Sequence, residues 1–177
     1  MWNACVLAAL LTTSLVQVPP AEDRFAAVRF LEGRWKGTAT GEPGRGVSER
    51  EYRFEMKGRY LSVKNRSTWE IVKGKTEPEI HEDWGMFSYD RNLKTLVLRQ
   101  FHIEGFVNEY RLTDNTPDRR EFKTVQIENL PPGFRAREVY RIVSKDEFVE
   151  SFSIAEPGKE FQPYSETRFR REPTAAK

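Results

Sequence analysis

The chain has 177 residues, enough for one domain. Its 29 Lys and Arg against 27 Asp and Glu leave a formal net charge of +2, and basic and acidic residues are interleaved, so no basic field of the kind that grips a nucleic-acid backbone is present. Cys5 is the single cysteine, which excludes an intramolecular disulfide and a cysteine-based zinc site.

Residues 1–21 stand apart because they carry no charged side chain. Cys5 to Val16 is an apolar run with Leu7, Leu10, Leu11 and Leu15, followed by Gln17-Val18-Pro19-Pro20-Ala21. This pattern reads as a secretory signal with an h-region of roughly a dozen residues, although no Lys or Arg precedes it. The run is too short for a stable membrane span. The expectation is a secreted or periplasmic protein, with one domain over residues 22–172 and a frayed tail over 173–177.

Glu22 to Leu31 predicts a short helix, with Phe25, Val28 and Leu31 on one face and Gly33 as its stop. After that, strand signals dominate. Arg34–Thr40 alternates, with Trp35, Gly37 and Ala39 on one side. Glu42 to Gly46 reads as a loop. Glu51–Met56 alternates again, with Tyr52, Phe54 and Met56 together, and Tyr60–Glu70 follows a turn. Further strands are predicted over Ile80–Tyr89, Thr95–Glu104, Phe106–Leu112, Glu121–Glu128, Phe134–Val143, Phe148–Ala155 and Phe161–Arg170. Short strands joined by tight turns, with no long crossover, predict an all-β fold: an antiparallel up-and-down barrel of about ten strands behind one short N-terminal helix.

The aromatic faces of these strands also carry polar residues. Glu138 falls between Ala136 and Tyr140, Glu150 between Phe148 and Phe152, and Asn108 between Phe106 and Tyr110. Gln100 and His102 share a face with Leu96 and Leu98. A solid core would not take so many central polar groups, because each one buried without a partner costs roughly 1–3 kcal/mol. A cavity holding water or a polar-headed ligand would.

Three segments carry a family resemblance. The first is Gly33-Arg34-Trp35-Lys36-Gly37-Thr38-Ala39-Thr40-Gly41, a G-x-W opening of the calycin type. The second runs from Tyr52-Arg53-Phe54 through Lys57-Gly58-Arg59-Tyr60-Leu61-Ser62-Val63 to Arg66-Ser67-Thr68-Trp69. The third is His81-Glu82-Asp83-Trp84-Gly85-Met86-Phe87. In this order they resemble the first half of nitrobindin-type β-barrels, relatives of the fatty-acid-binding proteins in the calycin superfamily, over roughly Leu31 to Leu112. The resemblance implies a ligand inside the barrel, with structural roles for Gly33 and Trp35 and a basic residue of the last strand, Arg168 or Arg170, laid over that Trp as a cation–π partner. Some nitrobindins bind haem for peroxynitrite and nitric oxide chemistry through a histidine near the C-terminal end. This chain has no histidine after His102. His81 matches a pocket histidine of that family, not its iron ligand. The two-helix lid of the intracellular fatty-acid carriers is also missing, since only Gly41–Val47 is available for it, and Arg168-Phe169-Arg170 replaces their Arg-x-Tyr clamp.

The reading that results is a binding protein or carrier for a small hydrophobic or amphipathic molecule. Expected wall residues are Tyr52, Phe54, His81, Trp84, Phe87 and His102 on the first half of the chain. Asn108, Tyr110, Glu138, Tyr140, Glu150 and Phe152 follow on the second. Haem held by an unusual ligand is the first alternative. A barrel enzyme using Glu138, Glu150 and the histidines is the second, although no catalytic constellation stands out. A metal bound by His81 and His102 with Glu104 or Glu82 is the alternative for the histidines, but without a well-placed third ligand no metal site is expected. The two glutamates are expected to pair with an inward arginine such as Arg99 or Arg137.

Overall fold

A computed structural model describes residues 23–71, 74 and 76–173. The expected leader and the last four residues of the expected tail lie outside that range. The ten strands are β1 (Gly33–Gly41), β2 (Gly44–Glu55), β3 (Tyr60–Trp69), β4 (Ile80–Asp90), β5 (Thr95–His102), β6 (Val107–Thr116), β7 (Arg119–Glu128), β8 (Arg135–Ser144), β9 (Glu147–Ala155) and β10 (Gln162–Arg171). Each pairs antiparallel with its neighbours in sequence, and β10 pairs back onto β1, so the sheet closes as an up-and-down barrel. Closure leaves no unpaired edge. Among the described residues, no helix is long and apolar enough to cross a membrane.

Of the helix expected over Glu22–Leu31, the described residues from Asp23 onward form no α-helix. Turns lead into a single 3-10 turn at Arg29–Leu31. The reason lies in the apolar spacing. Phe25, Val28 and Leu31 recur every three residues, the period of a 3-10 helix, and all three are buried. Asp23 starts the segment by accepting from the Phe25 amide at 3.1 Å and by pairing with Arg29. The loop expected over Glu42–Gly46 is also shorter. Gly41 already pairs with Gly44, so Glu42 and Pro43 alone make the turn and β2 begins at Gly44. Met56, expected inside, has φ of 50° in the next turn and is exposed.

The barrel is filled unevenly. The turns that follow β2, β4, β6 and β8 lie at the same end as the chain's entry into β1. This end is packed solid by Val28, Leu31, Trp35, Leu61, Phe87, Phe122, Phe148 and Phe169. Trp35 is its plug: the indole Nε1 donates to the Leu31 carbonyl at 2.6 Å, and the ring meets Phe148 edge-on at 4.7 Å. Arg171, not Arg168 or Arg170, covers the indole, with its guanidinium 4.1 Å from the ring centroid. Strand alternation explains the correction. Thr167, Phe169 and Arg171 point one way, and Arg171 is the direct partner of Trp35 in the ladder. Arg168 and Arg170 point outward to Glu147. At the opposite end, the Glu42–Pro43 turn and the connections after β3, β5, β7 and β9 surround an opening.

Candidate functional site: a polar belt beneath an apolar mouth

Midway along the barrel, the aromatic core gives way to a belt of polar side chains. Its centre is Arg50, two residues before Tyr52 on the same face of β2. Arg50 grips Glu150 of β9 with both guanidinium nitrogens: Nη2 donates to Oε1 at 2.6 Å and Nη1 to Oε2. Arg50 also donates to the Tyr52 hydroxyl at 3.0 Å and to Asn65 Oδ1 at 3.1 Å. Asn65 in turn donates to Asp83 Oδ2 at 2.7 Å. A second branch runs through β8 and β6, where the Tyr140 hydroxyl donates to Glu138 at 2.5 Å and the Asn108 amide lies 2.8 Å from the Tyr110 hydroxyl. The expected inward arginine is therefore Arg50, not Arg99 or Arg137. Arg99 pairs with Glu109 instead, and Arg137 stacks on Phe161.

The electrostatics follow from burial. Burial, reinforced by the Glu150 carboxylate, pushes Glu138 up to about 8, so it is protonated at neutral pH. Burial also raises Glu150, opposed by the bidentate Arg50. Tyr110 and Tyr140 are held well above the usual phenol range by burial and remain donors. Burial pushes His102 down to about 4, so its ring is neutral. His81 is also pressed downward by burial, but its contacts with Asp83 and Glu104 outweigh this and leave it raised.

Above the belt opens a cavity of about 330 Å³. Its rim is largely apolar, with Phe106, Ile127, Leu130, Phe134, Phe152 and Ile154 interrupted by Glu79, Glu104 and Arg135, and its floor is the belt. Among the described residues, Asp83 Oδ1 and Gln100 Oε1 are buried side-chain oxygens of that floor with no hydrogen-bond partner, and both are acceptors.

Comparison with known proteins finds the same architecture. No family model matches the chain, and no curated protein matches it. Among solved structures, it is similar to the crystal structure of Rv2717c from M. tuberculosis, with a TM-score of 0.65 and 18% identity over 86% of this chain and 99% of that one. That likeness shows the barrel fold. A redesigned beta barrel also matches, with a TM-score of 0.41 and 14% identity over 81% of this chain and 93% of that one.

Half of the expected wall residues meet in the cavity: His81, His102, Asn108, Glu138, Glu150 and Phe152. Tyr52, Tyr110 and Tyr140 lie just below, in the belt. Phe54 and Phe87 point inward at the wrong height. Phe54 packs on Phe25 at 5.5 Å between ring centroids, and Phe87 belongs to the solid end against Phe122. Trp84 lies outside the barrel altogether, 55% exposed opposite Phe101. On β4 the inward residues are His81, Asp83, Gly85 and Phe87, so alternation alone excludes it. The sequence reading missed Arg50 and Asp83. Extending the Tyr52–Phe54 alternation back by two residues finds the first. Counting two from His81 finds the second.

Proposed function

We propose that the open half of the barrel binds one small amphipathic molecule, with an apolar body against Phe106, Phe134, Phe152 and Ile154 and a polar head directed at the belt. The observation that carries this reading is the cavity of about 330 Å³ with apolar walls and a floor of buried, partly unpartnered acceptors. Its volume is at the lower end of small-ligand pockets, and burial of apolar surface at ~25 cal/mol per Å² is the driving force. A head that donates hydrogen bonds is favoured over one that only accepts, because Gln100 Oε1 and its neighbours lack donors. Protonated Glu138 and the Arg50–Glu150 pair leave the floor able to take a neutral hydroxyl or amide head.

The nitrobindin likeness belongs to this reading as a likeness of barrel and opening motif. Haem is not proposed. The iron ligand of those proteins has no counterpart here: the cavity-lining residues of β9 and β10 above the belt are Phe152, Ile154, Tyr164, Ser165 and Thr167, with no histidine among them. The two imidazoles face each other and Asp83 rather than the apolar mouth. Export of the chain is likewise part of the proposal, on the composition of residues 1–21.

Uptake of a fluorescent single-chain lipid probe, followed by mass spectrometry of anything extracted from protein purified gently from its own host, tests the reading. Saturable uptake is expected. Ile154→Trp, at the mouth, should weaken uptake at least tenfold while the melting temperature stays within a few degrees. Failure to take up apolar or amphipathic probes, together with an empty extract, would overturn it.

A further inference from the structure

We infer that His81, Asp83 and His102 form a binding site for one divalent transition-metal ion of the zinc class at the edge of the cavity floor. The site follows from strand geometry. His81 and Asp83 alternate onto the inner face of β4, and His102 is the direct cross-strand partner of Asp83 at the end of β5. Three potential ligand atoms, one from each residue, lie within 4.8 Å of one another. His81 Nε2 stands 3.5 Å from Asp83 Oδ2 and 3.5 Å from His102 Nδ1. Bonds of about 2.0–2.2 Å to one tetrahedral ion place its ligands about 3.4 Å apart, so two edges of that polyhedron already have their length.

The surroundings orient these atoms toward a common point. His81 Nδ1 lies 2.7 Å from Glu104 Oε1. A proton on Nδ1 donates to that carboxylate and leaves the Nε2 lone pair facing inward, the carboxylate–histidine arrangement that supports metal ligands. Asn65 holds Asp83 Oδ2 from the other side. The Asp83 side chain is only 4% exposed, and its Oδ1 has no partner among the described residues. The Asn108 amide is 3.1 Å from His102 Nε2 and 2.8 Å from the Tyr110 hydroxyl. With its oxygen turned toward them, it accepts from both, the proton of His102 resides on Nε2, and Nδ1 is free to ligate. Lone pairs of two imidazoles and a buried carboxylate then converge, and a cation is the species that satisfies all three.

Two imidazoles and one carboxylate select a borderline ion such as Zn²⁺ over the oxygen-seeking Ca²⁺ and Mg²⁺. Three protein ligands leave a fourth position on the cavity side, the pattern of open rather than structural sites. An oxygen of water or of a bound molecule fits there. The ion occupies Asp83 and leaves Gln100 and Glu138 to an organic ligand. This inference therefore goes beyond the proposed function and stands without it.

Chelator-stripped protein, free of added lipid, should bind Zn²⁺ with one-to-one stoichiometry in calorimetry and give visible d–d bands with Co²⁺. His81→Ala, Asp83→Asn and His102→Ala should each weaken Zn²⁺ binding at least tenfold. Glu104→Gln should weaken it about 10–100-fold, the usual effect of losing a supporting carboxylate. If a variant lacks a cooperative melt, the wild type decides the matter by nitrogen NMR of the imidazoles: Zn²⁺ should shift His81 and His102 together. Absence of stoichiometric binding, binding that survives His81→Ala with His102→Ala, or unshifted imidazoles would overturn the assignment. Lipid-probe uptake measured in chelator separates this failure from failure of the proposed function.

Discussion

Arg50 shows how much one side chain sets in this barrel. Its guanidinium is buried and bonds Glu150, Tyr52 and Asn65 at once. Arg50→Ala leaves Glu150 buried without its counter-charge, and such a loss costs about 3–5 kcal/mol. Urea unfolding should show it, and Arg50→Met combined with Glu150→Leu should recover most of the loss, because a buried ion pair is close to neutral against apolar residues of its size. Glu138 makes a second prediction. In the folded chain it keeps its proton up to about pH 8, whereas an unfolded glutamate loses it near pH 4.3. Between those values the folded state binds more protons, so the contribution of Glu138 is full below the window and is lost as pH rises through it. The urea midpoint of the wild type should therefore carry a falling component between about pH 4.3 and 8 that Glu138→Gln removes. An unchanged profile would mean that Glu138 is ionised in the fold.

At the scale of elements, β1 is the strand with least freedom. Gly33 has φ of 120°, and a Cβ there would stand 2.8 Å from Arg171 Nη1. That arginine is tied to the Phe30 carbonyl and to the face of Trp35, so it cannot move aside without uncovering the plug. Gly37 allows β10 to come close: an added Cβ would lie 2.7 Å from the Arg168 carbonyl oxygen. Gly33→Ala and Gly37→Ala should each lower stability by about 1–3 kcal/mol in denaturant melts. Gly33→Ala should also increase the fluorescence response of Trp35 to a quencher. Alternation along an element assigns side chains to the inside or the outside, as Trp84 shows. It does not assign height. Phe87 and His81 share the inner face of β4, yet one fills the solid end and the other lines the cavity.

For the whole molecule, closure is the non-local event. Trp35 pairs with Arg171 across almost the entire described chain, so the seam between β1 and β10 forms only when the eight strands between them are in place. Closing this one long-range ladder requires a large loop-closure entropy before its contacts reward it, which slows folding toward milliseconds to seconds. Stopped-flow refolding followed by Trp fluorescence should fall in that range. A microsecond phase that recovers the full native signal would contradict this account.

The sequence alone determined the ten strands, their order and most of their inward faces, because side-chain alternation and turn chemistry are local and each strand contains its own record of them. It also marked Glu138, Glu150 and Asn108 on aromatic faces and Gln100 and His102 on the face of Leu96 and Leu98, while His81 entered through the family resemblance. Only the tertiary structure decided which of these stand together. Arg50 and Glu150 are one hundred positions apart, and their contact exists because the closed barrel brings β2 and β9 across its interior. Asp83 and His102 meet through the β4–β5 register, and that register also turns Trp84 outward. Closure sets the height of each residue along the barrel. Height decides between solid core, polar belt and open mouth, and no local pattern along the chain encodes it.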